Sequence, residues 1–402
     1  MTSRFKTVRA IGAALLCVAL VSCSLMNTVR RAKPAPPPVA VPAEDPLPVD
    51  THKFEINPED DVVGLVQLTT SSKEDTLPDI ARRFNVGYEE IVRANPGVDP
   101  WLPGENRTIV VPTEFILPDA PRDGVVINIA AMRLYYFPAR KNGEPQRLFT
   151  YPIGIGRVGW ATPQGTTKIL RRQKDPTWRP PVSVIKEHKE NGEILPAVVG
   201  PGPDNPLGRH AFYLGWPSYL IHGTNKPYGV GLRSSHGCIR LYPEDIAALF
   251  ESLPIGTQVR VVNQPFVFGW KDGQLYLQAY DVLEDDARDW KNAQKKLLSK
   301  SLAVRIQKEL KKRGEEMNWD RVARLAHAPR GIPVSVSTLD ASVEQVIASA
   351  TKVQNRVPEG ATWDGKTDLP MDEQTFQEVL SDRDPSQPET AGGSAKPRKS
   401  GT

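Results

Sequence analysis

A mainly β central domain, preceded by a small βααβ module and followed by an α/β extension, is the architecture that the sequence predicts. Three observations predict it. Val125-Val126-Ile127-Asn128-Ile129 and Leu134-Tyr135-Tyr136-Phe137 are β-rich runs divided by a short polar break. Upstream, Leu77, Ile80, Ala81 and Phe84, then Ile91 and Ala94 beyond Gly87, fall at helical spacing. They lie between an apolar run from Val62 and Thr108-Ile109-Val110-Val111-Pro112. Downstream, Leu275 to Ala279 reads as a strand, and Leu298, Leu302, Ile306 and Leu310 make one helical stripe among lysines and arginines. A chain of 402 residues, 39% hydrophobic, can bury more than one sizeable core.

The first element is a leader. Arg4, Lys6 and Arg9 precede an apolar run from Ala10 to Val21, too short to span a bilayer as a helix and of the length of an export signal. It ends in Leu20-Val21-Ser22-Cys23, which resembles a bacterial lipobox. That resemblance implies removal of residues 1–22 as a signal peptide and lipidation of Cys23, a stable anchor because several acyl chains sit on one residue. The alternative is an ordinary secretory signal with an incidental cysteine. Ser24 favours the outer over the inner membrane. Residues 23–50 follow as lipid anchor and linker, where prolines at 34, 36, 37, 38, 42, 46 and 48 favour extended polyproline geometry. Loss of Arg4, Lys6 and Arg9 with no acidic residue takes the formal charge from +4 to +1, so charge makes no case for nucleic acid. Of three cysteines, Cys17 goes with the leader and Cys23 to lipid, which leaves Cys238 as the one thiol of an exported chain.

The βααβ order of residues 62–113, with Asp75-Thr76-Leu77, Asp79-Ile80-Ala81, Asn95-Pro96 and Leu102-Pro103-Gly104, resembles a LysM module. The resemblance implies binding of N-acetylglucosamine chains near Thr76, Leu77, Asn95 and Pro96. A packing module without sugar binding is the competing reading.

The central domain, residues 124–263, continues through Phe149 to Ile155, with Gly154 and Gly156 at bends. Thr162-Pro163-Gln164-Gly165-Thr166 and Pro201-Gly202-Pro203 read as loops. Ala211 to Trp216 and Tyr219 to His222 read as strands joined near Pro217-Ser218. Pro243 starts a helix with Glu244 and Asp245 at its positive end; Ile246, Leu249, Phe250 and Leu253 form its apolar stripe, and Gln258 to Val262 is the next strand. His222 therefore ends a strand and Cys238 begins one, rigid mountings for reactive groups.

A thiol becomes a nucleophile when a neighbour takes its proton, and His222 is the candidate base for Cys238. Gly237 lets the chain turn so that the Gly237 and Cys238 amides point at a developing oxyanion. A zinc site from His222, His236 and Cys238, with His210 as an extra ligand, is disfavoured by one thiol and a His-x-Cys spacing poor for tetrahedral closure. No metal and no cofactor are expected.

His222-Gly223-Thr224-Asn225, followed by Gly231-Leu232-Arg233-Ser234-Ser235-His236-Gly237-Cys238-Ile239-Arg240-Leu241, resembles the L,D-transpeptidase catalytic-domain family, with further similarity at 162–166 and 202–208. With the lipobox and the LysM-like module, the likeness is to the periplasmic ErfK-type group. The resemblance implies a β-sandwich or barrel with a short helix after the cysteine. It also implies a Gly223 carbonyl orienting His222, and a supporting rather than proton-transferring His236. Arg240 either binds a substrate carboxylate or pairs within the fold. Ser235 either donates to the intermediate or caps a turn.

The implied reaction is acyl transfer on peptidoglycan. Cys238 attacks the meso-diaminopimelate carbonyl of a tetrapeptide stem, releases D-alanine, and passes the acyl group to an amine of a second stem or of a murein-bound lipoprotein. The alternatives are a carboxypeptidase or lipoprotein-releasing hydrolase on the same fold, and a non-enzymatic peptidoglycan-binding lipoprotein. The partners expected are stem peptides, glycan strands and, through the lipid, a membrane, in the periplasm and on the outer membrane by preference. Residues 270–357 form an extension without an assigned role, and residues 358–402, polar and rich in Ser, Pro and Gly, are expected to stay unfolded.

Overall fold

The computed structural model describes residues 45–50, 52–140, 143–190, 192, 194–288, 290, 300–337 and 341–367. The leader, Cys23, most of the linker and the tail from residue 368 lie outside them. Among the described residues no helix is long and apolar enough to cross a membrane.

Small and β-branched residues build the first module. The run from Val62 is two strands, because Gly64 turns through φ +77° where a Cβ would sit 2.1 Å from Thr113 O. Val62–Gly64 pairs with Glu114–Ile116, while Gln67–Thr70 pairs antiparallel with Thr108–Val111. Between the latter pair lie α1 (Leu77–Arg83) and α2 (Tyr88–Ala94). Thr76 caps α1 reciprocally with Asp79, satisfying two amides that the helix start leaves open. Leu77, Ile80, Ala81, Phe84 and Ile91 fill the module's core, as their spacing predicts.

The central domain is mainly β. Its sheet has nine strands in the order Lys53–Ile56, Gln146–Pro152, Arg133–Phe137, Gly124–Asn128, Gln258–Val262, Gly165–Lys174, His210–Leu214, Leu220–His222, Ile239–Arg240. Alternation sends Val125, Ile127, Leu134, Phe212, Ile221 and Ile239 into one core. The long strand Gly165–Lys174 begins inside what reads as a loop, because its alternating polar residues carry no apolar run. The excursion that follows carries α3 (Val182–Glu190), and α4 (Pro243–Ser252) packs Ile246 and Leu249 on the sheet core.

The module is docked on the central domain by polar groups. Arg133 is fully buried and pairs bidentately with Glu90 (2.7 and 2.9 Å), Arg82 does the same with Glu244 (2.8 and 2.9 Å), and Asn85 Nδ2 donates to Asp245 Oδ1 (2.6 Å). The N-terminus of α2 abuts the loop before the cysteine motif, with Tyr88 and Glu89 amides donating to Val230 and Gly231 carbonyls (3.2 Å each). Gly231 has φ +85° and a Cβ there would meet Tyr88 N at 2.2 Å, so glycine is what permits this approach.

In the extension Gln274–Ala279 is the central strand, antiparallel to Phe266–Lys271 on one side and to Val334–Ser335 on the other, backed by α5 (Lys300–Arg313), α6 (Trp319–His327) and α7 (Val343–Ser349). Leu302, Ile306 and Leu310 are buried as a stripe; Leu298 lies outside the described residues. The chain then returns to the first module. Thr351–Lys352 adds a parallel strand beside Gln67–Leu68, and Val353 enters that module's core. The expectation of an unfolded stretch from Pro358 does not hold for residues 358–367. Trp363 lies over the Arg82 guanidinium at 4.1 Å, Arg83 donates to Gly365 O, and Thr367 is buried. Polar partners on α1, rather than apolar bulk, order that stretch.

Candidate active site

The strand pair Leu220–His222 and Ile239–Arg240 sets the geometry. It runs parallel with Ile221 opposite Ile239 and His222 opposite Arg240. Since side chains alternate, both isoleucines point to the core while Leu220, His222, Cys238 and Arg240 share the other face. All four line a cleft of about 750 Å³. His222 and Cys238 are thus diagonal neighbours across the pair.

His222 is buried, and its Nδ1–H donates to Gly223 O at 2.6 Å, which leaves Nε2 as the proton-accepting nitrogen. Burial, with the Arg240 charge beside it, holds the imidazole down to about 3, so the ring is neutral at working pH. Cys238 is half-buried, with Sγ 3.6 Å from Ser218 O. Its dense surroundings push the thiol above its ordinary value, opposed by the Leu220 backbone and Arg240. The resting pair is therefore neutral thiol and neutral imidazole.

Gly237 has φ +96°, and a Cβ there would come within 2.7 Å of the Tyr219 ring. Its amide does not face the cleft as the sequence suggests. It donates to Ser235 Oγ (3.2 Å), whose hydroxyl in turn donates to Cys238 O (2.6 Å). Of the two roles open to Ser235, the geometry fits the turn rather than the substrate contact, because a buried hydroxyl takes its nearest backbone partners. Among the described residues no group accepts from the Cys238 amide, which leaves it open to an oxygen in the cleft. Arg240 Nη1 donates to Ser234 Oγ (3.1 Å) while its side chain borders the cleft.

His236 faces another carboxylate. Its Nε2 donates to Glu187 Oε2 on α3 (2.7 Å), Arg157 Nη2 is 3.0 Å away, and the Trp160 ring meets it edge-on at 4.9 Å. Burial and then Arg157 lower its pKa, with Glu187 pulling the other way. His210 packs against Phe250, outside the cleft. Sequence reasoning missed Glu187, Arg157, Trp160, Trp178 and Thr162. Thr162 Oγ1 accepts from Gly156 N and donates to Gly237 O (3.0 Å each), bracing the turn. The tryptophans carried a signal as bulky aromatics in polar loops, and Thr162 through the loop motif it begins, but neither signal gave a role.

The four residues expected near a glycan do not form one surface. Leu77 is wholly buried, and Asn95 spends its amide on Ile91 O, Val110 O and Val110 N (2.8 Å each). Thr76 caps α1, and Pro96 is exposed on a separate cavity with Arg93 and Arg330. Motif positions facing outward on the sequence pattern are taken up here by capping and loop closure.

A family model described as the L,D-transpeptidase catalytic domain matches residues 122–261. The chain is 39% identical over 263 residues to the probable L,D-transpeptidase ErfK/SrfK of Salmonella typhimurium, covering 65% of this chain and 82% of that protein. It is 42% identical over 242 residues to the probable L,D-transpeptidase YbiS of Escherichia coli K12, covering 59% and 75%. With the probable L,D-transpeptidase YcfS of the same strain it shares 45% over 219 residues, covering 53% and 67%.

Proposed function

This chain belongs to the L,D-transpeptidase catalytic-domain family, and we propose that its cleft carries out a two-step acyl transfer on peptidoglycan stem peptides through Cys238 and His222. The observation that carries the assignment is the parallel register that puts both side chains on the cleft face, with Nδ1 of His222 engaged by Gly223 O.

In the first step the Cys238 thiol proton passes to His222 Nε2 as Sγ attacks the meso-diaminopimelate carbonyl. The oxyanion meets the Cys238 amide. Collapse breaks the bond to D-alanine, whose amine leaves with the proton from His222. In the second step an acceptor amine attacks the thioester, gives its proton to His222, and the released thiolate recovers it. Because the imidazole rests neutral, its Nε2 is open to the thiol proton before substrate arrives, and the ring is charged only along the reaction path. Arg240, at the cleft edge, is suited to a substrate carboxylate while also favouring the thiolate.

The same reading puts the enzyme in the periplasm, held to a membrane through Cys23, with glycan strands as the surface it works on. The acceptor amine is that of a second stem, giving a 3-3 cross-link, or the lysine of a murein-bound lipoprotein. The test is incubation of the protein with tetrapeptide muropeptides and mass analysis of enzyme and products. An acyl adduct on Cys238 with loss of D-alanine, followed by dimeric or lipoprotein-linked product, is the expected result. Tripeptide alone makes the protein a hydrolase. Turnover by Cys238→Ala overturns the nucleophile.

A further inference from the structure

The cleft's outer wall is held by very little apolar contact. Between the strands Gly165–Lys174 and His210–Leu214 the chain leaves the sheet, and the base of this excursion is well tied. Asp175 N donates to Arg209 O (2.7 Å), Asn205 Nδ2 to Pro176 O (2.7 Å), and Trp178 and Val199 exchange backbone bonds (2.9 Å each). Farther out, α3 has a single buried residue, Val184, whereas Val182 is 84% exposed. One buried valine, with Ile185 and His188 partly covered, is little burial to hold nine ordered residues against the sheet.

α3 meets the catalytic turn at two side chains: the His188 ring lies 6.2 Å from the His236 ring, and Glu187 supplies the charged link. Glu187 accepts from Arg157 Nη2 with one oxygen and from His236 Nε2 with the other. Arg157 is itself fixed, its amide donating to Ser235 O (3.0 Å). His236 stands two residues before the thiol, so the bridge runs from α3 to the turn that presents Cys238. Ser183 and Val184 of α3, with Trp178, Arg179 and Pro181 before it, line the same cleft as His222 and Cys238.

We propose that Glu187 is a positioning residue that latches α3 against the His236 turn, setting how large a group, and how much water, reaches the Cys238 sulfur. The proposal rests on Cys238 being the reactive thiol of the cleft. Release of the latch admits the donor peptide; closure shields the thioester, so that an acceptor amine held in the cleft competes with water.

The test compares two reagents on the full chain, N-ethylmaleimide and a maleimide carrying a long polyethylene glycol arm, with modification followed on the Cys238 peptide by mass spectrometry. Their rate ratio reads access and cancels thiol ionisation. Glu187→Ala is expected to raise the bulky-to-small ratio by roughly tenfold, the equilibrium change that loss of a charged hydrogen bond produces. Glu187→Gln, which keeps the shape and loses the charge, is expected to fall between, with an unchanged melting temperature. In turnover, both variants shift product from cross-link towards tripeptide. An unchanged ratio in Glu187→Ala, or in Glu187→Gln should the alanine variant not fold, overturns the latch. The reagent arm needs no turnover, so it separates failure of the latch from failure of the transpeptidase reading.

Discussion

Replacing Thr162 with valine removes one hydroxyl and two buried hydrogen bonds while keeping the side chain's shape. The hydroxyl accepts from Gly156 N and donates to Gly237 O, both at 3.0 Å, and Thr162, Gly156 and Gly237 are all buried. Each backbone group left without a partner costs about 1–3 kcal/mol, so the pair costs roughly 2–6 kcal/mol. The added methyl recovers at most about 0.8 kcal/mol by burial. At roughly 2–4 °C per kcal/mol, even the lower end lowers the melting temperature by several degrees. The effect on turnover is larger than on stability, because Gly237 O anchors the turn whose next residue is the nucleophile. A displacement on the order of 1 Å there costs about 100-fold in rate. Thermal melts and muropeptide turnover would be measured side by side for Thr162→Val and Thr162→Ser. The serine variant keeps the oxygen and should stay near the parent in both. If Thr162→Val turns over at the parental rate, or if Thr162→Ser falls as far as valine, the hydroxyl is not the brace.

Two further outcomes are expected. With His222 held to about 3 and the Cys238 thiol pushed up, neither group changes charge near pH 6.5. Alkylation of Cys238 by iodoacetamide should therefore climb steadily from pH 6 to 9 without a plateau, whereas a rate independent of pH over that range would reveal a preformed thiolate–imidazolium pair. Glu90→Gln leaves the fully buried Arg133 without its counter-charge and should cost about 3–5 kcal/mol in a denaturant titration; a loss below about 1 kcal/mol would mean that the pair is not what docks the first module.

Much of the site was legible in the residues themselves. The spacing of His222 and Cys238 and the strand ends that carry them depend on alternation within short stretches, which the chain displays locally. The strand Gly165–Lys174 was not legible, because its exposed alternate positions are polar and it joins the sheet through partners far along the chain. The direction of the Gly237 amide, and the choice between two roles for Ser235, were not legible for a related reason: a donor's direction follows from the turn's three-dimensional closure, and residue type leaves it open.

By itself the sequence determined the order of the modules, the core faces of their helices and strands, and which thiol and imidazole are the candidate nucleophile and base. Each of these follows from periodicity or from side-chain chemistry over a few residues. Only the tertiary structure decided which distant groups complete the site and the modules. Glu187 reaches His236 across 49 positions, Thr162 holds Gly237 across 75, and Thr69 bonds Val353 across 284. Such pairings leave no periodic trace, because what selects them is satisfaction of buried polar groups once the chain has closed around them.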